Sequence, residues 1–131
     1  MAMSGEKRQR VLLAKADMDP HDMGLRYVAE VLRESGAEVI FIRYRLVEEV
    51  IPVALQEGVD VIGLSFYSTG AIEDTAIVLK ALKEQHMEDI PLVLGGIFSD
   101  EDASLLREMG VKEVIGPGRP IAEVINCITS L

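Results

Sequence analysis

Five short apolar runs alternating with five longer amphipathic ones predict a doubly wound α/β domain, a five-stranded parallel sheet with helices on both faces. Two further features point the same way. Runs such as Val61-Ile62 and Leu92-Val93-Leu94 are apolar without alternation, as suits strands buried on both faces. No internal repeat, linker or low-complexity tract interrupts the series. The first strand is expected over Val11–Ala14, followed by a helix over Gly24–Glu34. In that helix Tyr27, Val28, Val31 and Leu32 recur at helical spacing, and Ser35-Gly36 supplies a stop. Strand two covers Glu38–Ile42 and its helix Val47–Glu57; strand three covers Val61–Leu64 and its helix Ala71–Gln85. Strand four is Leu92–Leu94, followed by a helix over Asp102–Met109 whose charges from Asp100 to Asp102 suit a helix N-terminus. Strand five is Glu113–Ile115, and the chain closes with a helix over Ile121–Ile128. Residues 10–131 form the domain, and residues 1–9 are expected to be a flexible tail.

Five β/α units favour the strand order 2-1-3-4-5, which puts the reversal of strand order between strands one and three. Ligands of such sheets bind beyond the carboxyl ends of the strands at that reversal. Four loops therefore matter: Lys15 to Gly24, Ser65 to Gly70, Gly95-Gly96, and Gly116 to Pro120. Composition narrows what they could meet. The chain has 131 residues, 49% of them hydrophobic, and a net charge of −9, enough for a core without staples. The acidic balance opposes partners bound by phosphate neutralisation, so neither nucleic acid nor an anionic membrane is expected. The lone cysteine, Cys127, cannot pair internally and reads as a small buried hydrophobe. With no span-length apolar run and a polar N-terminus, the chain is expected to be cytoplasmic.

The loops exclude several common occupants. A dinucleotide or P-loop site needs a glycine fingerprint after strand one, where this chain has Asp19-Pro20. A phospho-receiver needs an aspartate at the tip of strand three; Ser65 stands there, and Asp60 lies at the other end. Aromatics for stacking a flavin are limited to Phe66 and Tyr67, and no His/Cys cluster has zinc spacing. What remains is Asp19-x-His21-x-x-Gly24, four residues after Lys15. Here an imidazole could face outward while a carboxylate holds its other ring nitrogen, with Lys15 keeping that carboxylate ionised. One imidazole suits a metal already held by a macrocycle, which needs a single axial ligand. The same residues also make a good helix start, with Asp19 as cap, Pro20 in the first turn and His21 as a solvated neighbour. Gly24 would then be unexplained, since glycine inside a helix costs about 1 kcal/mol relative to alanine. His86, between Glu84 and Glu88 near a helix end, reads as solvated.

From Arg10 to its end the chain resembles the cobalamin-binding domain of adenosylcobalamin-dependent acyl-CoA mutases, most closely the carboxyl-terminal domain or small subunit of methylmalonyl-CoA mutase. The resemblance is carried by Val11 to Lys15, Asp19-Pro-His21-Asp-Met-Gly24, Asp60 to Ser65, Val93 to Ile97 with Asp100 to Asp102, and Met109-Gly-Val with Gly116-Pro-Gly118. It implies a flavodoxin-like cobalamin-binding fold and His21 as the lower axial ligand of cobalt, in place of the cofactor's dimethylbenzimidazole. Lys15 and Asp19 would complete a hydrogen-bonded relay with His21. The displaced nucleotide tail would enter between the first and third strand tips. Ser65 would hydrogen-bond it, Gly95 and Gly96 would let the backbone approach, Gly116 to Gly118 would border its far end, and Gly24 would relieve crowding under the corrin. Asp22 and Tyr67 complete the expected binding set. Pro20, Phe66, Tyr67 and Arg119 depart from the usual pattern.

The resemblance further implies a stand-alone cofactor subunit, inactive alone. A large barrel subunit would bind the acyl-CoA and host the radical 1,2-rearrangement, since 131 residues leave no room for a barrel of roughly 250. The corrin-facing rim around Met18, Met23, Tyr67 and Gly96 is the expected docking surface. Two alternatives stand beside it: a cobalamin carrier or sensor without mutase activity, and a domain that keeps the fold but binds no cobalamin.

Overall fold

Hydrogen-bond pairing joins five strands into one parallel sheet of order β2-β1-β3-β4-β5 in the computed structural model, which describes residues 8–17, 23–66 and 70–131. The elements run β1 (Arg10–Ala16), α1 (Met23–Glu34), β2 (Glu38–Tyr44), α2 (Val50–Glu57), β3 (Val61–Phe66), α3 (Ala71–Glu84), β4 (Leu92–Gly96), α4 (Asp100–Met109), β5 (Glu113–Ile115) and α5 (Ile121–Thr129). The order is the expected one. A single 3₁₀ turn, Val47–Glu49, leads into α2.

Strand alternation explains the two layers. Leu12, Ala14, Ile62, Leu64 and Leu94 point to the face covered by α2, α3 and α4, while Val11, Leu13, Val61, Val93 and Ile115 point to the face covered by α1 and α5. Both faces are apolar because both are covered, which is why the strands read as unbroken apolar runs. The chain crosses from one layer to the other after β2, so β1 and β3 are neighbours whose connections leave in opposite directions. That is the physical origin of a crevice at their carboxyl ends.

Several boundaries differ from expectation, those of strands two and four among them, which end at Tyr44 and Gly96. The first and third strands extend two residues further, to Ala16 and Phe66, so that Lys15 and Ser65 are paired strand residues. Helix α4 starts at Asp100 rather than Asp102 because the Ser99 hydroxyl accepts a hydrogen bond from the Asp102 amide at 3.0 Å and caps the helix. Gln9, assigned to the tail, donates to the Ile128 carbonyl at 3.0 Å, and its own carbonyl accepts from the Glu38 amide at 2.8 Å.

Charges at the amino edge of the sheet are structural. The Arg10 guanidinium meets Glu38 at 3.4 Å and Glu57 at 3.2 Å, and the Arg10 amide donates to the Asp60 carboxylate at 2.8 Å. Asp60 therefore fastens β1 to β3 at the end remote from the crevice. His86 is exposed and takes the left-handed φ of 58° that ends α3, allowing the Met87 amide to donate to the Leu82 carbonyl at 2.8 Å.

Candidate functional site

A cavity of about 540 Å³ opens at the carboxyl ends of β3, β4 and β5, beneath α1 and α5. Strand register builds its floor. Lys15, Ser65, Gly95 and Ile115 stand in one row across β1, β3, β4 and β5, and Leu13, Gly63 and Val93 in the row below. Alternation aims these residues at the α1/α5 face. Small residues at the centre of both rows leave a trough where neighbouring strands carry Leu13, Val93 and Ile115.

The glycines of the trough have different physical reasons. A Cβ added to Gly24, Gly95 or Gly116 would meet no atom within 4 Å, so their missing side chains are part of the open space. Gly96 is constrained by the chain itself. Its φ of 151° disfavours other residues, and a Cβ there would run into the Phe66 carbonyl oxygen. Gly116 and Pro117 line the cavity, whereas Gly118, expected at its far border, lies in the following turn and is not among the lining residues. Gly24 lies on α1 and is exposed.

Among the described lining residues Ser65 carries the one polar side chain, and it is half-buried. The remaining walls are apolar, with Leu25 and Val28 from α1 and Val124 and Ile128 from α5. Such a slot suits a flat apolar group with a single polar anchor at its mouth. Lys15 is fully buried one strand over from Ser65. A buried ammonium requires oxygen partners. Asp19, His21, Asp22, Met18, Pro20 and Tyr67 lie outside the described residues. The expected relay and this part of the binding set therefore rest on sequence. Met23 and Ile97, at the rim, are 83% and 70% exposed, an apolar edge beside the opening. Arg119 is exposed.

Sequence reasoning missed Gly63, Leu13 and the aliphatic wall of α5. The period of two that pairs Gly63 with Ser65 on one face was available in Val61-Ile-Gly-Leu-Ser65. The α5 residues carry no chemical signal, since a lining leucine and a core leucine look alike in sequence. Two groups outside the slot have shifted acidities. Burial pushes the Asp74 carboxyl up, aided by Glu48 and Glu73, and burial pushes the Cys127 thiol up, aided by Glu113 and opposed by Arg119. Cys127, expected to be buried, is half-buried and packs against the α1/α5 core. Among the described residues no three His, Cys, Asp or Glu side chains cluster as a metal cage. No described helix is long and apolar enough to cross a membrane.

Several known proteins are similar to this chain in sequence or fold. The small subunit of 2-hydroxyisobutanoyl-CoA mutase from Aquincola tertiaricarbonis is 41% identical over 93% of this chain and 90% of its own length. The pivalyl-CoA mutase small subunit of Xanthobacter autotrophicus is 37% identical over 100% of this chain and 88% of its own. Methylmalonyl-CoA mutase of Escherichia coli is 31% identical over 95% of this chain, which spans 18% of that protein. In fold, the chain superposes with a TM-score of 0.78 on a cobalamin-binding protein from Desulfitobacterium hafniense, at 21% identity, covering 95% of this chain and 59% of that one. The family described as the B12 binding domain matches residues 9–125. A match of that extent places the chain in the B12 binding domain family.

Proposed function

We propose that this chain is the cobalamin-binding small subunit of an acyl-CoA mutase, holding adenosylcobalamin with its nucleotide tail in the slot and His21 as the lower ligand of cobalt. The observation that carries the reading is the slot itself: an apolar cavity of about 540 Å³ with Ser65 at its mouth and open space over Gly24, Gly95 and Gly116. A benzimidazole on a ribose phosphate tether has the matching form, an apolar plate with a polar leash.

When bound, the cofactor supplies a carbon radical by homolysis of its cobalt–carbon bond. The chain's own residues bind and orient. Ser65 donates to or accepts from the tether at the slot mouth, and Gly95 lets it lie against β4. His21 would present a ring nitrogen to the metal and Asp19 would hold the opposite N–H, fixing the tautomer and making the ligand more basic. Lys15, fully buried on β1, would offer its ammonium to that carboxylate. Asp22 and Tyr67 would complete the binding set as the resemblance implies, and Gly118 lies in the turn beyond Gly116.

The substrate cavity belongs to a large partner subunit, and the apolar rim of Met23 and Ile97 is the edge presented to it. The relatives named for 2-hydroxyisobutanoyl-CoA and pivalyl-CoA support a short, branched acyl-CoA as the substrate class. Titration of the purified chain with cobalamin and with tail-less cobinamide, followed by absorbance, tests the reading. Cobalamin is expected to bind more tightly and to shift to a base-off spectrum. An unchanged spectrum at saturating protein would refute it.

A further inference from the structure

Gly63 differs from the other glycines of the slot. Its Cβ would lie 2.8 Å from Leu13 Cδ2, well inside the ~3.5 Å at which two carbons touch. The Leu13 side chain therefore leans over Gly63, its direct partner on β3, and both residues line the cavity. Leu13 is thus the inner floor of the slot, resting in space that a side chain at position 63 would take. On its other side stands its β2 partner Phe41, whose ring is held on the α1 side by the Arg26 guanidinium, 5.8 Å from the ring centroid. With Phe41 on one flank and a methyl on the other, the cavity is the direction left open to Leu13.

We infer that the Leu13–Gly63 contact sets the depth of the slot and so the size of the lower base that a bound cobamide can carry. Gly63 is a specificity-determining residue that acts through Leu13. This rests on the reading that the slot takes the nucleotide tail. Gly63→Ala pushes Leu13 into the slot and shortens it. Leu13→Ala deepens it, and in the Gly63→Ala background removes the atom that the new methyl displaces.

The test is a binding series read by absorbance and calorimetry. Wild type, Gly63→Ala, Leu13→Ala and the double variant are each titrated with cobalamin, with cobinamide, and with a cobamide whose lower base bears an extra fused ring. Gly63→Ala is expected to weaken cobalamin binding tenfold or more and leave cobinamide unchanged, and the double variant to regain most of the loss. Leu13→Ala alone is expected to bind the larger cobamide more tightly than wild type does, which decides the matter even if Gly63→Ala folds poorly. Cobalamin affinity unchanged by Gly63→Ala, an equal loss for cobinamide, or no gain with the larger base in Leu13→Ala would overturn the inference alone. A wild type that does not prefer cobalamin to cobinamide would overturn the slot reading and the inference together.

Discussion

Replacing Gly95 by valine separates the slot's binding role from its role in folding. A Cβ at Gly95 meets no atom within 4 Å, so the substitution has room in the folded protein. Strand propensity favours it, since glycine inside a strand costs roughly 0.5–1 kcal/mol relative to alanine. The three added carbons, each near the ~30 Å³ of a liquid water, fill roughly 90 Å³ of the slot. Against about 540 Å³ that is close to one sixth, placed at the centre of the trough beside Ser65. A bound aromatic base buries on the order of 200 Å², which at about 25 cal/mol per Å² amounts to about 5 kcal/mol of gross apolar transfer. Forcing the base half out of the slot forfeits about 2–3 kcal/mol of this, a loss of about 30- to 150-fold in affinity. Isothermal titration with cobalamin, beside thermal melting of the same variant, reads both quantities. The expected result is an unchanged or raised melting temperature together with that loss. A folded Gly95→Val that binds cobalamin as tightly as wild type would refute the placement of the tail over Gly95.

Three further outcomes follow from the same geometry. Gly96→Ala, one residue on, behaves in the opposite sense: a φ of 151° and the Phe66 carbonyl stand against any side chain, so the melting temperature falls whether or not cofactor is present. The Cys127 thiol, raised by burial and by Glu113, is less ionised than an exposed thiol near neutrality, so iodoacetamide should alkylate it more slowly than a free cysteine peptide at the same pH. Asp74 is raised above its ordinary 3.8 by burial and by Glu48 and Glu73, so its folded form binds a proton more readily than its unfolded form. The stability it contributes is present below the ordinary aspartate range and lost as pH rises through the raised value. In melting experiments wild type should therefore gain on Asp74→Asn as the solution is acidified through that range.

The fold was largely legible because its cause is local. A parallel sheet covered on both faces writes itself as unbroken apolar runs, and both the sheet and its order followed from Val61-Ile62, Leu92 to Leu94 and the intervening amphipathic stretches. The site was legible where chemistry demands a rare residue in a fixed place, as with Ser65 at a strand tip and the missing side chains of Gly95 and Gly116. It was illegible where a site is made of ordinary residues. Leu13 over Gly63 is a tertiary contact between strands 50 positions apart, and nothing local distinguishes it from core packing. Gly96 shows the converse: a glycine assigned to ligand approach also answers a demand of the backbone, visible once the Phe66 carbonyl is placed beside it. The start of α4 differed for a simpler reason, a serine cap at Ser99 that begins the helix two residues before Asp102.

The proposed function turns on a protein histidine, His21, replacing the cofactor's own base at cobalt. Electron paramagnetic resonance of cob(II)alamin bound to protein grown with heavy-nitrogen histidine tests it most directly, because the nitrogen bound to cobalt splits the signal according to its isotope. Labelling the protein alone is expected to convert the nitrogen splitting from three lines to two; His21→Ala is expected to abolish this change and His86→Ala to leave it intact. A three-line splitting that persists in the labelled protein would mean that the cofactor's own base remains on cobalt, and would contradict the account.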